Sequence, residues 1–162
     1  MATLLIDLLT EKEDAAYENS FDIDLLAGHL VSVTNHIKKM PIFQHVKIGY
    51  FGADTGAAAA LKASVQMGNI VHAVVSRGGR PNLTKENIAV VKSPTLLIVG
   101  GLDNDLIEFN LWAYNLLQCE KKLEVVEGAS HLLEEPGKLE EVARLTVNWF
   151  AKHLHPDALL KP

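Results

Sequence analysis

Residues 46–61 read VKIGYFGADTGAAAAL, an apolar run followed by small residues and an alanine-rich stretch. This order predicts a buried strand, a tight turn and a helix. The turn, residues 52–56 (GADTG), has the spacing of a nucleophile elbow, in which a reactive side chain stands at the apex between strand and helix. Glycine is expected on both sides of the apex, because a Cβ there would strike the neighbouring strand or helix. The apex residue here is Asp54 and not serine.

Length and composition limit the class of protein. The 162 residues suit a single domain, which we place at residues 1–154 with a tail at residues 155–162. A net charge of −5 with scattered basic residues predicts no nucleic-acid or membrane partner. The lone Cys119, together with the lack of a signal-peptide pattern and of a long apolar run, predicts a cytoplasmic protein. The histidines lack metal-ligand spacing, so the sequence predicts neither a metal site nor a cofactor.

Strand-like and helix-like segments alternate along the chain. Apolar or alternating runs predict five strands, at residues 2–9, 46–51, 70–76, 94–101 and 122–127. Apolar residues at helical spacing predict four helices, at residues 22–40, 55–67, 105–118 and 140–154. Residues 10–21 are predicted as a loop and residues 82–91 as one or two helical turns. The pattern predicts an α/β fold with three layers (α/β/α), a mostly parallel sheet of about five strands and no cap domain.

Three candidate functional residues follow predicted strands. Asp54 follows the second strand, Asp103 the fourth and His131 the fifth. Because the carboxyl ends of parallel strands meet at one edge of a sheet, we expect the three side chains to converge. Their order along the chain is nucleophile, acid and histidine, which is the order of an α/β-hydrolase triad.

The motifs around these residues are specific. They read FGADTGAAAAL at residues 51–61, LLIVGGLD at residues 96–103 and GASHLLEEPG at residues 128–137. With these motifs the chain resembles the dienelactone-hydrolase-related branch of the α/β-hydrolase superfamily. The resemblance covers essentially the whole chain, and it implies catalytic roles for Asp54, Asp103 and His131 in a small-molecule hydrolase.

The chain departs from this family at two points. Asp54 stands where the family has serine or cysteine. In addition, the family normally has an upstream strand and an HGxG-like loop, which supply part of the oxyanion hole. Without that strand we expect a slot between the strands predicted at residues 2–9 and 46–51, with unpaired backbone groups on both sides. The first strand could slide across, a second protomer could fill the slot, or the sequence could be a fragment of a longer chain.

An apex carboxylate supports different chemistry from an apex hydroxyl. Aspartate is ionised at neutral pH and can attack saturated carbon directly, as in the haloalkane dehalogenases and soluble epoxide hydrolases that the chain resembles in this respect. Asp54 would form an alkyl ester, and His131, oriented by Asp103, would activate water to hydrolyse it. The backbone N–H of Thr55 would be one oxyanion donor. Attack on an ordinary ester would give an anhydride, so esterase activity is disfavoured.

A catalytically inactive or substituted domain with a binding or structural role is the alternative. The dehalogenases have tryptophan directly after the nucleophile, where this chain has Thr55. Trp112 and Trp149 lie in predicted helices and are expected in the core. The three tyrosines are scattered, so no pair for protonating an epoxide oxygen is evident.

Other candidate residues also have two interpretations. Arg77 and Arg80 could bind an anionic substrate at the same sheet edge, or they could be solvated loop residues. Asp103 could cap the helix that follows it, although Asp105 is the nearer capping candidate. His131 could be a loop histidine bonded to backbone.

The predicted partners are a small-molecule substrate and a second copy of the chain. We expect a homodimer because unpaired strand edges and bare apolar faces are unfavourable in water.

Overall fold

A single parallel sheet organises the chain. The computed structural model describes residues 2–155. Four strands lie side by side in their sequence order: β1 (Ile48–Ala53), β2 (Val71–Arg77), β3 (Thr95–Gly100) and β4 (Lys121–Val126). All three strand pairings are parallel. The carboxyl ends of the strands therefore lie at one edge of the sheet, as the sequence predicts.

Five α-helices lie in the described residues: α1 (Glu11–Asp14), α2 (Ile23–Lys39), α3 (Thr55–Met67), α4 (Asn104–Leu116) and α5 (Lys138–Leu154). A 3₁₀ segment, Pro81–Val90, lies between β2 and β3 where the sequence predicts one or two helical turns. None of the described helices is long and apolar enough to cross a bilayer.

The sheet is covered on both faces, so the predicted three-layer fold is confirmed. On one face, α3 and the end of α4 pack on Val74 and Leu97, and α2 packs on α3. On the other face, α5 packs on Val75 and Ile98. Every residue of β3 is buried, which agrees with its continuous apolar sequence, because a central parallel strand is covered on both faces.

The prediction of a first strand at residues 2–9 is wrong, and the described sheet has four strands and not five. This segment has no regular structure, and Leu5 is 94% exposed. Leu8 and Leu9 instead pack near α2 and α3, and the ring Nδ1 of His29 donates to the carbonyl of Leu8 over 2.7 Å. The apolar run buries its end against helices and does not pair with β1. The slot expected between two strands is therefore absent, and β1 is an edge strand among the described residues.

Two smaller expectations are wrong, and a third is not tested. Residues 10–21, predicted as a loop, contain α1 and a 3₁₀ segment, Tyr17–Phe21. A capping box starts α1, because Thr10 and Glu13 satisfy each other's backbone N–H groups. Trp149 is buried as expected, but Trp112 is 40% exposed on the outer side of α4. The tail predicted at residues 155–162 lies outside the described residues except for His155.

The two glycines of the elbow differ in their surroundings. A Cβ on Gly52 would lie 2.4 Å from the carbonyl oxygen of Gly56 and 2.7 Å from the Cα of Ala57. These are backbone atoms of α3, so they cannot move aside easily. A Cβ on Gly56 would meet nothing within 4 Å. The expectation that both glycines exclude a side chain is correct for Gly52 and wrong for Gly56.

Substituting each glycine by alanine tests this difference. We expect Gly52→Ala to lower the free energy of unfolding by about 3 kcal/mol, the upper part of the range for overpacked sites, because strand and helix must separate. Gly56→Ala serves as the matched control, and it should leave stability unchanged or raise it by up to about 1 kcal/mol, because alanine favours the helix. Urea unfolding followed by circular dichroism measures both values. Equal effects from the two substitutions would contradict the close approach at Gly52.

Candidate active site

Asp54 occupies a strained backbone position between β1 and α3. Its φ is 48° and its ψ is −120°, a conformation that non-glycine residues adopt at a cost of about 1–3 kcal/mol. The surrounding backbone holds it there: its N–H donates to the carbonyl of Arg77 over 3.3 Å, and its own carbonyl accepts from Ala57 N–H over 3.2 Å. Its side chain makes no capping hydrogen bond to α3. Asp54 is the N-cap residue of α3, but its carboxylate does not cap the backbone N–H groups at the start of the helix.

Thr55 is the first residue of α3. The amides of the first helical turn have no acceptor within the helix, so the N–H of Thr55 is free of an intrahelical partner. The same helix terminus favours negative charge through the aligned peptide dipoles. The start of α3 thus leaves a backbone donor next to Asp54 in the chain, and the role of Thr55 as an oxyanion donor stays a prediction.

Asp103 and His131 come into contact although they are distant in the sequence. Nδ1 of His131 lies 3.3 Å from Oδ2 of Asp103, within ion-pair distance, although the two atoms are not aligned for a hydrogen bond. The other oxygen, Oδ1, accepts from the backbone N–H of Leu106 over 3.1 Å and caps α4. Asp103 is thus both the helix cap and the partner of the histidine, whereas Asp105, the predicted capping candidate, is exposed in the first turn.

Close backbone packing brings the histidine loop to Asp103. A Cβ on Gly100, at the end of β3, would lie 2.2 Å from the carbonyl oxygen of Ser130. The N–H of Leu102 donates to the carbonyl of Ala129 over 3.0 Å. The absence of a side chain at Gly100 therefore lets the loop after β4 lie directly on the loop after β3. His131 keeps 42% of its side chain exposed, although its Nδ1 is buried.

The loop after β2, residues 77–80, separates the elbow from the histidine. On one side the N–H of Arg80 approaches the carbonyl of Asp54, at 3.4 Å. On the other side, a Cβ on Gly78 would lie 3.8 Å from Nδ1 of His131. No hydrogen bond or ion pair joins the described side chains of Asp54 and His131 directly. The two residues are neighbours through this loop.

Asn110 fixes the same loop from α4. It is completely buried, and its Nδ2 donates to the carbonyl of Gly79 over 2.9 Å and to that of Leu106 over 2.8 Å. The helix that Asp103 caps is thereby joined to the loop that contacts both Asp54 and His131. Asn110 lies between Leu106 and Ala113 on the buried face of α4, so a polar residue at an apolar position of the helical pattern was the sequence signal for it.

Two charged residues hold the backbone on either side of His131. The guanidinium of Arg77 donates to the carbonyl of Leu132. Oε1 of Glu135 accepts from the N–H of Ser130 over 2.9 Å, and this hydrogen bonding holds the pKa of the Glu135 carboxyl below its usual value. Leu133, completely buried in the same loop, has a φ of 56°. The histidine loop is thus a braced structure with a strained residue in it, and Glu135 is a site residue that the sequence analysis missed.

An open cleft lies beside the histidine. Its lining residues are Leu102, Asp103, Asn104, Asp105, Ser130 and His131. Asp54 is not among them, so the cleft lies on the acid side of His131. Among the described residues, no group of three or more histidine, cysteine, aspartate or glutamate side chains is arranged to hold a metal ion.

All six predicted site residues therefore lie at the same sheet edge, but their contacts differ. Asp103 and His131 form a pair, and Asp54 and Thr55 form the elbow beside them. Arg77 contributes its side chain to the histidine loop. A role for Arg77 or Arg80 in binding an anionic substrate stays a prediction.

The brace at Glu135 makes stability depend on pH. Because the pKa of Glu135 is lowered on folding, its carboxylate stabilises the fold above the unfolded value of about 4.5, and this contribution is lost as the pH falls through the lower folded pKa. We expect Glu135→Gln to be less stable than the parent chain at pH 7 and the difference to shrink below about pH 4. Urea unfolding at several pH values measures this difference. The exposed neighbour Glu134 gives the control, since Glu134→Gln should leave stability nearly unchanged at both extremes. A stability difference that is the same at pH 7 and pH 3 would contradict the charged brace.

Comparison with known proteins places this geometry in a family. The chain is 48% identical to a dienelactone hydrolase from Anabaena variabilis, with a TM-score of 0.87, over 92% of this chain and 71% of that one. A monoacylglycerol lipase from Paleococcus ferrophilus shares the fold, with a TM-score of 0.68 at 14% identity over 81% of this chain and 76% of that one. No family model matches the chain.

Curated relatives are longer than this chain. A Mycobacterium tuberculosis protein named "Putative phosphoribosyl transferase" is 50% identical over 153 residues, which is 94% of this chain and 34% of that protein. The same similarity is found in a second strain of the organism. The chain thus spans about a third of the length of the curated relatives it matches.

Proposed function

The chain belongs to the dienelactone-hydrolase-related branch of the α/β-hydrolase superfamily, and on that premise we propose that it is a hydrolase with Asp54 as its nucleophile. The substrates would be small molecules with an electrophilic saturated carbon, such as alkyl halides or epoxides. The observation that carries the proposal is the backbone of Asp54, held at φ 48° between strand and helix with its carboxylate free. Strain of this kind collects at functional sites.

The first step needs no activation of the nucleophile. A carboxylate oxygen of Asp54 forms a bond to the saturated carbon, and the bond from that carbon to halide or epoxide oxygen breaks, with the electron pair leaving on that atom. In the epoxide case the alkoxide takes a proton from water. The product is an alkyl ester of Asp54. The positive end of α3 stabilises the carboxylate before attack.

The second step uses Asp103 and His131, which lie on the other side of the loop at residues 77–80. Nδ1 of His131 faces Asp103, which leaves Nε2 to take a proton from water. The hydroxide attacks the carbonyl carbon of the Asp54 ester, and the N–H of Thr55 donates to the oxyanion that forms. As this intermediate collapses, the bond from the carbonyl carbon to the alkoxide oxygen breaks, and the leaving oxygen takes the proton held on Nε2 of His131 and departs as the alcohol. The acid formed at Asp54 loses its proton to water, and the restored carboxylate contains one oxygen atom from water.

The transferase named for the mycobacterial relative is not part of this proposal. That relative has about twice as much sequence outside the match as within it, since the match spans 34% of its length. The name can therefore refer to the part of the relative that this chain does not match, while the site described above has the parts of a hydrolase.

A binding or structural domain without catalysis is the second candidate. The surroundings of the aromatic residues favour it: Trp149 lies on the buried face of α5 and packs in the core, and the hydroxyl of Tyr50 is bonded to Thr34 over 2.6 Å in the core. Neither residue is available to hold a leaving group near Asp54. If the domain has no catalytic activity, the elbow at residues 52–56 and the histidine loop have only a structural role.

Trapping the ester tests the first candidate. A His131→Ala chain can form the Asp54 ester but cannot hydrolyse it, so incubation with a panel of activated alkyl halides and epoxides should give one adduct per chain on Asp54. Peptide mass spectrometry detects the adduct. The exposed His36 on α2 gives a matched control, since His36→Ala should turn over without accumulating ester. Asp54→Asn should give no adduct. A folded His131→Ala chain that gains no adduct across the panel would contradict the proposal.

Replacing the nucleophile separates the two candidates further. An Asp54→Ser chain has the residue that His131 can activate for ester hydrolysis, so we expect it to hydrolyse a small activated ester at least about tenfold faster than the parent chain, as nucleophile and base then act together. Release of nitrophenol from nitrophenyl acetate measures this rate. Asp54→Ala is the control without a nucleophile. Equal rates for Asp54→Ser and Asp54→Ala would show that the Asp103 and His131 pair does not work as a base here.

A further inference from the structure

Asn110 is a buried polar residue that takes no direct part in the proposed reaction. Its side chain is completely buried on α4, and both N–H bonds of the amide are engaged, one with the carbonyl of Leu106 and one with that of Gly79 in the loop at residues 77–80. Its Oδ1 has no hydrogen-bond partner within residues 2–155. A buried polar atom without a partner calls for an explanation beyond packing.

The same helix holds the acid of the site. Asp103 is the N-cap of α4, and its Oδ1 accepts from the N–H of Leu106, whose carbonyl accepts from Asn110. Asp103 and Asn110 are about two helical turns apart, so they lie on the same side of the helix. One helix therefore holds both the carboxylate that faces Nδ1 of His131 and the amide that holds the loop.

The loop that Asn110 holds contacts the histidine ring. A Cβ on Gly78 would lie 3.1 Å from the carbonyl oxygen of His131 and 3.8 Å from Cε1 and Nδ1 of its ring. The Nδ1 end of the ring thus meets two groups, the carboxylate of Asp103 and the backbone of Gly78, and α4 holds both of them.

The loop is also packed against the sheet and the elbow helix. A Cβ on Gly79 would overlap Oγ of Ser76 on β2 and would lie 2.6 Å from the Cβ of Ala57 on α3. Loss of the Asn110 amide removes the bond from α4 but leaves this packing in place. We therefore expect the loop to shift and the fold to persist.

From these contacts we propose that Asn110 is a positioning residue for hydrolysis of the Asp54 ester, an inference that rests on the proposed function. By holding the carbonyl of Gly79, Asn110 sets where Gly78 meets the ring of His131, and so directs Nε2 towards the water that attacks the ester. Ester formation needs only the carboxylate of Asp54. Asn110 should therefore affect the second step and not the first.

Separate rates for the two steps test this role. Asn110→Leu removes the amide, and Asn115→Leu, the same substitution at an exposed position of α4, is the matched control. A pulse of an activated alkyl halide that forms the ester in the His131→Ala chain is followed by removal of the reagent, and mass spectrometry follows the rise and decay of the Asp54 ester. We expect the ester of Asn110→Leu to decay at least about tenfold more slowly than that of the parent chain, and to form at a rate within about twofold, because only the base is misplaced.

A second variant removes only the bond to the loop. A serine hydroxyl within a helix can donate to the carbonyl four residues before it, so Asn110→Ser keeps a bond to Leu106 but does not reach Gly79. We expect the same slow decay of the ester as in Asn110→Leu. Circular dichroism verifies that each variant is folded.

Nuclear magnetic resonance gives a readout that needs no turnover. We expect an Overhauser contact between the α protons of Gly78 and the ring Hε1 of His131 in the parent chain and in Asn115→Leu. The contact should weaken or disappear in Asn110→Leu and Asn110→Ser. A role of Asn110 in stability alone would leave it unchanged in the folded variants.

Two results would overturn the positioning role. One is an Overhauser contact that both Asn110 variants retain, and the other is ester formation and decay that are unchanged or slowed equally. The absence of any ester in the His131→Ala chain would instead contradict the proposed function, and with it the catalytic part of this inference. The Overhauser contact then decides by itself whether Asn110 positions the ring.

Discussion

The contact between the backbone of β1 and the backbone of α3 determines the geometry of the whole site. At Gly52 the two elements are so close that a Cβ would overlap the carbonyl of Gly56. The chain must then reverse direction within very few residues, and Asp54 takes up the positive φ that this reversal requires. The Arg77 and Arg80 backbone groups complete the turn. Strand pairing, helix packing and the strained residue thus depend on a single close approach.

The sequence predicts well the elements that are buried on both sides. β2 and β3 are central strands, so their apolar runs are covered whatever the details of the surroundings. Residues 2–9 are equally apolar, but burial of such a run depends on a partner strand that local sequence cannot supply. Leu8 and Leu9 pack against helices, while Leu4 and Leu5 are exposed. The strand prediction was wrong because the apolar pattern belongs to the segment alone, whereas burial of the segment requires a second segment that packs against it.

The sequence predicted the candidate functional residues of the site but not the residues that hold their loops in place. Asp54, Asp103 and His131 follow strand ends in motifs, and strand ends are visible in a sequence. Glu135 and Asn110 act on backbone carbonyl and amide groups of other loops. Any backbone group could be their partner, so only the folded chain identifies which one it is. Asn110 bonds to Gly79, which is 31 residues away in the sequence, and Glu135 bonds to Ser130 within the same loop.

The two oxygens of the Asp103 carboxylate make different contacts, and this affects how relatives of this chain should be interpreted. One oxygen caps α4 and the other faces His131. Loss of the residue would expose a helix terminus whether or not any reaction occurs, so selection for folding alone retains it. His131 caps no helix and is 42% exposed, and its loop is held instead by the side chains of Arg77 and Glu135, which bond to the backbone of Leu132 and Ser130. Across descendants of this fold, the aspartate should therefore survive the loss of catalysis, and the histidine is the residue whose persistence marks a working site.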